Sequence, residues 1–424
     1  MIDYLEKLKM ISKNAKLFLL GGVFNGIGMA VFRLLFNLYL KEAGFGEGKI
    51  GTILSARSLG AALIAIPIAI LLRRVHAKHI LILATFLASV FYGFQIYFNE
   101  LYLIVIFAFF AHMFFMTYRL VSAPFFMRNS TKKERIYIFS LHSAVFVVSM
   151  FIGNLVGGNL PHFFLNTGIA TELVTAYKIT LYCSIGATIA SILPYLKIEE
   201  KPLPKIENKL FNEMKTYNWR RIVKLVVPRF LVGMGAGFII PFMNLYFRNV
   251  FDLGSDRIGL YFSILRIFMF IGMMSAPFIS KHIGMIKGIV ITQLLSLPFM
   301  LTMALTDHLT LAVGAFFIRT TLMNMNQPMN RNFTMEIMKV DEQPMTHSLT
   351  MVAWNLSWMV SAFLGGRIIE QYGFKYSFFA TIILYLLSST TYYILFKKFS
   401  HIGKGEDQDE EKIEQNLEEE EANV

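Results

Sequence analysis

Twelve apolar runs, each long enough to cross a lipid bilayer, occupy most of the 424-residue chain. A helix needs about 20 residues to cross the roughly 30 Å hydrocarbon layer. Because backbone polar groups cannot stay unpaired in lipid, and because these runs are too long and continuous for barrel strands, we predict that they are helices. The predicted spans are 17–40, 50–72, 80–98, 101–127, 137–160, 176–196, 223–247, 257–279, 285–305, 308–330, 346–369 and 374–396. The predicted fold class is an all-α integral membrane protein.

The composition supports this assignment. Hydrophobic residues make up 55% of the chain and charged residues only 16%, whereas soluble domains contain about 45–50% and about 25% respectively. A soluble domain of this length could not bury so much apolar surface. The chain has one cysteine, Cys183, which excludes an internal disulfide and a cysteine-based metal site. We therefore expect no cofactor and no metal centre.

The basic residues are distributed in a way that predicts the orientation in the membrane. The net charge is +12 although the tail after Gly403 is strongly acidic. Most Lys and Arg residues lie in connectors on one side of the predicted bundle, as the positive-inside rule requires of cytoplasmic loops. The excess charge thus needs no nucleic-acid partner. We predict a multi-pass protein of the cytoplasmic (inner) membrane with both termini in the cytoplasm.

An internal repeat divides the chain into two halves. The longest cytoplasmic connector is rich in Lys, Glu and Pro, which is typical of a solvated linker. Phe36–Lys41 recurs as Met243–Arg248, 207 residues later, and Gly157-Gly158 recurs as Gly365-Gly366. Such spacing indicates two parallel six-helix repeats. The predicted domains are an N-terminal bundle at 1–196, a linker at 197–222, a C-terminal bundle at 223–398 and a disordered acidic tail at 399–424.

Short motifs match a known family to different degrees. The glycines Gly153, Gly157 and Gly158 lie in a Gly-Asn-Leu-Val-Gly-Gly run in the fifth span. That run is similar to the antiporter motif of the major facilitator superfamily, with Asn154 where the motif has Pro. Arg119 in the fourth span, with Pro124, Glu134 and Arg135 after it, resembles the family's intramembrane arginine and its cytoplasmic end. The loop at 71–78 departs from the family pattern, because it lacks the expected Gly and Asp.

Over residues 15 to 398 the chain resembles that superfamily in its twelve spans, its charged central loop and its six-plus-six repeat. The resemblance implies two pseudo-symmetric bundles that rock about a central site, which opens to one face of the membrane at a time. It also implies that the gradient of an ion or of a second solute drives the cycle.

The spans contain arginines but no carboxylates. A charge at the centre of a bilayer costs about 2.5–3.5 kcal/mol on insertion scales, so we expect these side chains to face protein or a water-filled cavity. A guanidinium group offers a bidentate fork to a carboxylate or a phosphate. Our hypothesis is that some of these arginines bind an anionic group, while others gate the pathway or tie helices together. The arginines are Arg33, Arg57, Arg119, Arg229, Arg266 and Arg319.

Polar and aromatic residues complete the candidate site. Asn25 lies in the first span, and Asn326 in the tenth either binds a polyol or braces a helix that Pro328 interrupts. Trp354 and Trp358, four residues apart, either pack inside the bundle or stack on a flat ring of the solute. For proton coupling we consider His142 and Glu336. The substrate-binding or gating candidates are Arg33, Arg57, Arg119, Arg266, Arg319, Asn25, Asn326, Trp354 and Trp358.

The sequence therefore predicts a secondary active transporter, not an enzyme, that moves a small anionic or neutral organic solute by alternating access. The alternatives are a proton-coupled exporter of drugs or metabolites and a sugar uptake carrier, with a polytopic membrane enzyme as the least favoured. The expected partners are the solute, a coupling proton or counter-solute, and the lipid bilayer. We expect a monomer that acts as a symporter or an antiporter.

Overall fold

The computed structural model describes residues 11–72, 74–200, 217–339, 342–400 and 402–403, without the side chains of residues 66, 69 and 132–136. Most of the predicted linker and of the predicted acidic tail lies outside the described residues, as do the side chains of Glu134 and Arg135.

The described residues form α-helices throughout the predicted spans. All twelve predicted spans fall on helices, so the all-α prediction is confirmed. The sixth and seventh spans each consist of two consecutive helices, and a 3₁₀ turn at Ile240–Phe242 separates the two in the seventh. The helices are α1 (Lys13–Glu42), α2 (Glu47–Leu71), α3 (Ala77–Tyr97), α4 (Leu101–Arg128), α5 (Lys132–Asn166), α6 (Leu173–Ala190), α7 (Ile192–Leu196), α8 (Trp219–Ile239), α9 (Met243–Phe251), α10 (Ser255–Ile283), α11 (Met285–Leu305), α12 (Leu309–Ile337), α13 (Gln343–Tyr372) and α14 (Phe374–Phe396).

Length and composition show that most of these helices can cross a membrane. Among the described residues, ten helical stretches are long and apolar enough to do so. The helix α12 is not one of them, because several amide side chains in its second half lower its hydropathy. Within that half, Gln327 Nε2 donates to Asn324 Oδ1 at 2.8 Å. A hydrogen bond between side chains of one helix lowers the cost of placing amides among apolar neighbours.

Contacts divide the chain into two compact units. The first unit comprises 1–208 and 241–266, and the second comprises 209–240 and 267–424. In the first unit α1 packs against α5 and α6, while α2 and α3 pack against α4. In the second unit α8 packs against α13 and α14, while α11 packs against α12 and α14. Since α8, α13 and α14 correspond to α1, α5 and α6 in the sequence repeat, the two bundles are pseudo-symmetric.

Two asparagines at equivalent positions of the repeat tie α9 to α1 inside the first unit. The amide nitrogen of Asn37 donates to the carbonyl oxygen of Pro241 at 2.8 Å and to Asn244 Oδ1 at 3.3 Å. In return Asn244 Nδ2 donates to the carbonyl oxygen of Leu34 at 2.8 Å. Both asparagines are buried. The repeated asparagine thus supplies a reciprocal hydrogen-bonded contact between helices.

We expect Asn37→Leu and Asn244→Leu each to lower the thermal unfolding temperature of the detergent-purified protein. Each change removes hydrogen bonds and leaves a buried polar partner without one. The double variant should lose less than the sum of the two single variants, because residues that share a hydrogen bond are coupled by about 0.5–3 kcal/mol. A double-mutant cycle measures this coupling. Strictly additive losses would show that the two side chains act independently.

The glycines of the fifth span allow close helix crossings. A Cβ atom on Gly153 would lie 2.7 Å from the carbonyl oxygen of Ile27. On Gly158 it would lie 2.6 Å from the carbonyl oxygen of Ser255 and 2.9 Å from Gly259 Cα. A hydrogen bond from Ser255 Oγ to the carbonyl oxygen of Gly158, 2.9 Å long, reinforces the second crossing. These glycines bring α5 close to both α1 and α10.

Candidate functional site

Two of the six intramembrane arginines are exposed residues. They are Arg33 on α1 and Arg119 on α4, and both belong to the first unit. Protein atoms nevertheless surround both side chains closely enough to remove much of their hydration. Exposure together with dense surroundings is typical of a side chain that lines a water-accessible recess, where an ion can reach it.

Arg57 on α2 is buried in a pocket of aromatic rings. Its guanidinium carbon lies 4.4 Å from the centre of the Phe36 ring, 5.3 Å from Phe32 and 6.0 Å from Tyr92. Its Nη2 donates to Gln95 Oε1 at 3.1 Å. Ring faces attract a cation through their quadrupole, and the attraction is strongest where water is excluded. Arg57 is therefore held as a fixed positive charge by rings and one amide.

The charges of these arginines act on one another. The positive charge of Arg33 interacts with the charge of Arg119 and with those of Arg57 and Arg266. Within the described part of the chain, no Asp or Glu forms an ion pair with Arg33, Arg57 or Arg119. Since Arg266 is half-buried on the part of α10 that belongs to the first unit, the four arginines form one positively charged group, which we call the arginine cluster.

The arginines of the second unit have different surroundings. Arg319 on α12 is 4% exposed, and its Nη2 donates to the Tyr385 hydroxyl at 2.7 Å. The guanidinium group of Arg229 on α8 lies 4.4 Å from the centre of the Trp354 ring. Both arginines thus contact an aromatic side chain, and Arg319 is shielded from solvent, which distinguishes it from Arg33 and Arg119.

The other candidate residues for binding and coupling lie in both units. Asn25 on α1 and Asn326 on α12 are buried. Trp354 and Trp358 on α13 are half-buried neighbours, with ring centres 5.8 Å apart. His142 on α5 approaches the Tyr118 hydroxyl with its Nε2 at 3.4 Å, whereas Glu336 is exposed near the end of α12. Of the two coupling candidates, only His142 belongs to the first unit, as the arginine cluster does.

Sequence reasoning missed the side chains that hold the arginines in place. Tyr92 and Gln95 on α3 contact Arg57, and Tyr385 on α14 contacts Arg319. The signal available in the sequence was weak: Tyr92 and Gln95 are three residues apart, on one face of an otherwise apolar helix. Nothing in the sequence pairs them with a particular arginine, because the contacts join different helices.

Protein sites for transition metals are built from grouped His, Cys, Asp or Glu side chains. Among the described residues, no group of three or more His, Cys, Asp or Glu side chains is close enough to hold a metal ion. The cationic side chains of the arginine cluster repel metal ions and favour anions.

Comparison with protein families identifies the chain. The model of the Major Facilitator Superfamily matches residues 18–362 and, in a second alignment, 230–419. The chain belongs to this superfamily. A search of curated proteins gives no match. Membership of the superfamily and the apolar helices make the protein a multi-pass membrane transporter.

Solved structures of superfamily members share the fold. A bacterial homologue of the human lysosomal transporter Spinster, in an inward-facing and unoccupied conformation, has a TM-score of 0.75 at 15% identity, covering 93% of this chain and 98% of its own. The nucleoside transporter NupG has a TM-score of 0.73 at 11% identity, covering 90% and 99%. A D-xylose–proton symporter has a TM-score of 0.70 at 13% identity, covering 90% and 97%. Identities this low show the fold and leave the solute open.

Proposed function

We propose that this superfamily member is a secondary carrier of a small organic anion, which it moves across the cytoplasmic membrane by alternating access. The observation that carries the proposal is the pair of exposed arginines, Arg33 and Arg119, which form no ion pair with a described residue. An anionic solute supplies the negative charge that the protein itself does not place there. Arg33 and Arg119 bind the acidic group of this solute.

The physical argument concerns the cost of charge inside a membrane protein. Intramembrane charges are expensive, and they are normally offset by a partner or by water. Arg57 has the rings of Phe32 and Phe36 and the amide of Gln95 as its partners. Arg33 and Arg119 have no comparable partner among the described residues. A carboxylate or phosphate of the solute supplies the missing negative charge through short, charge-assisted hydrogen bonds.

The same charge distribution limits how transport of the anion can be coupled to a second gradient. Since the spans contain no carboxylate, we propose that the transported anion exchanges for a second anion, or that His142 exchanges a proton with the aqueous phase. The contact of His142 with Tyr118, next to Arg119, supports the second route. In the membrane we propose a monomer with both termini in the cytoplasm, as the distribution of Lys and Arg predicts.

The test compares acids with their uncharged amides. The purified protein is heated in detergent with succinate, succinamide, benzoate, benzamide or a neutral sugar, and saturating acids are then tested for counterflow in proteoliposomes. We expect at least one acid to raise the unfolding temperature and its amide to have no effect, because ligand binding stabilises the folded state. An amide or a sugar that stabilises the protein as strongly as the matching acid would contradict the proposal.

A further inference from the structure

Polar contacts join helices of the two sequence repeats at one end of the first unit. Asn249 Nδ2 on α9 donates to Glu47 Oε1 on α2 at 2.7 Å. A second contact joins α5 to α10, where His162 Nε2 lies 3.4 Å from Asp256 Oδ1. In the orientation that the Lys and Arg residues predict, this end lies outside the cytoplasm, and we call it the outer end. Alternating access requires the helices of the two repeats to separate here when a carrier opens outward.

The imidazole of His162 is placed so that its pairing with Asp256 depends on a proton. Although 45% of the His162 side chain is exposed, its Nε2 atom is shielded from solvent and has no hydrogen-bond partner in the described part of the chain. A protonated imidazole carries a proton on both nitrogens, so its charge and its Nε2–H group both attract the nearby carboxylate. A neutral imidazole has no charge and carries its single proton on either nitrogen.

The other charged contacts at the outer end do not share this property. Arg248 pairs with Glu42 at 3.7 Å and with Asp252 at 3.2 Å. Guanidinium and carboxylate groups keep their charge around neutral pH, whereas imidazole is the group whose charge changes in that range. Of these contacts, the pair of His162 and Asp256 is therefore the one that responds to acidity. The other ionisable groups near this pair come from α1, α6, α10 and the end of α9, and they are Glu42, Tyr177, Arg248, Asp252 and Arg257.

Resting on the proposed alternating access, we propose that His162 is an external pH sensor of the carrier. Protonation of its imidazole at low external pH strengthens the pair with Asp256 and holds the outer ends of α5 and α10 together. Loss of that proton at higher pH removes the attraction and favours outward opening. The histidine stays at the outer end and transports no proton, which separates its role from that of the coupling candidate His142.

The experiment measures the separation of the outer helix ends with no solute present. Spin labels are attached to cysteines that replace Asn166, an exposed residue at the end of α5, and Val250, an exposed residue on α9. The full-length protein carries Cys183→Ser so that only these positions are labelled. Double electron–electron resonance in detergent gives the distances between about pH 5 and pH 8. We expect a shorter and a longer distance, with the ratio of short to long up to about fivefold higher at the acidic limit, which is the range of a half-exposed ion pair.

Variants of the pair test the assignment. His162→Gln and Asp256→Asn should each remove the pH dependence, because neither variant can form the ion pair. His162→Lys keeps a positive charge over the whole range and should favour the shorter distance at both limits. His308→Gln is the matched control, because His308 is an exposed histidine that precedes α12 in the second unit. It should leave the pH dependence unchanged.

The outcomes separate this inference from the proposed function. A pH dependence that persists in either His162→Gln or Asp256→Asn overturns the inference. Distances that do not change with pH in the labelled protein without these changes, or a longer distance at low pH, overturn it as well. Because the measurement contains no solute, its result does not depend on which solute is carried. Amides that bind as tightly as the matching acids would contradict the proposed anion transport and leave the pH sensor standing.

Discussion

Replacing either Arg33 or Arg119 by Gln is expected to weaken binding of the transported anion by about 10- to 100-fold. This range corresponds to the loss of a hydrogen-bonded contact between charged groups, about 1.5–3 kcal/mol. The unfolding temperature should stay close to that of the unmodified protein, because neither guanidinium group bonds to another described residue. Initial rates of counterflow at limiting anion concentration measure the effect, and calorimetry gives the affinity.

A matched control separates site-specific loss from general loss of charge. Arg367, near the end of α13, is also exposed, and its guanidinium group lies 3.6 Å from the centre of the Phe363 ring. Arg367→Gln removes the same charge from the other unit and should leave anion affinity unchanged. Unaltered kinetics in both Arg33→Gln and Arg119→Gln would remove these residues from the substrate pathway. An equal loss in the Arg367 variant would indicate a nonspecific effect of net charge.

Gly158→Ala is expected to lower the stability of the folded protein by about 1–3 kcal/mol, the usual cost of overpacking. The added Cβ would lie 2.6 Å from the carbonyl oxygen of Ser255 and 2.9 Å from Gly259 Cα. Both obstructing atoms belong to the backbone, so no rotamer change relieves the clash. The helices α5 and α10 must then separate, and the hydrogen bond from Ser255 to Gly158 is lost. Thermal unfolding in detergent measures the loss.

Gly186 on α6 provides the control for this prediction. A Cβ atom there would have no atom within 4 Å apart from its chain neighbours and the nearby backbone of its own helix. Gly186→Ala should leave the unfolding temperature unchanged or raise it slightly, because alanine in a helix is favoured over glycine by about 0.5–1 kcal/mol. Equal behaviour of the two variants would mean that the glycines of α5 are not needed for a close crossing.

Much of the architecture could be predicted from the sequence because it depends on local hydrophobicity. Each apolar run must be helical in lipid, whatever it packs against. The break in the seventh span, where Ile240–Phe242 forms a 3₁₀ turn before α9, was not predicted. Pro241 lies in this turn and has no backbone N–H to donate within a helix, so it was a sign of the break in the sequence. The hydrogen bond from Asn37 to the carbonyl oxygen of Pro241 joins the turn to α1.

The candidate site was predictable only as a set of residue types. Arginines without carboxylates in the spans indicated anion chemistry, since the cost of a buried charge applies to any fold. Sequence reasoning treated Arg33 and Arg319 as comparable candidates, because both lie near the middle of their spans. The structure separates them: Arg33 is exposed, whereas Arg319 is buried and hydrogen-bonded to Tyr385.

The sequence by itself determined that the chain is a helical membrane protein with a twofold internal repeat and an excess of intramembrane positive charge. These properties follow from hydrophobicity, repeat spacing and charge, which do not depend on long-range contacts. Only the tertiary structure decided which arginines are accessible and which are held by rings. The reason is physical: the partners of Arg57 and Arg319 come from other helices, and hydration depends on how those helices pack.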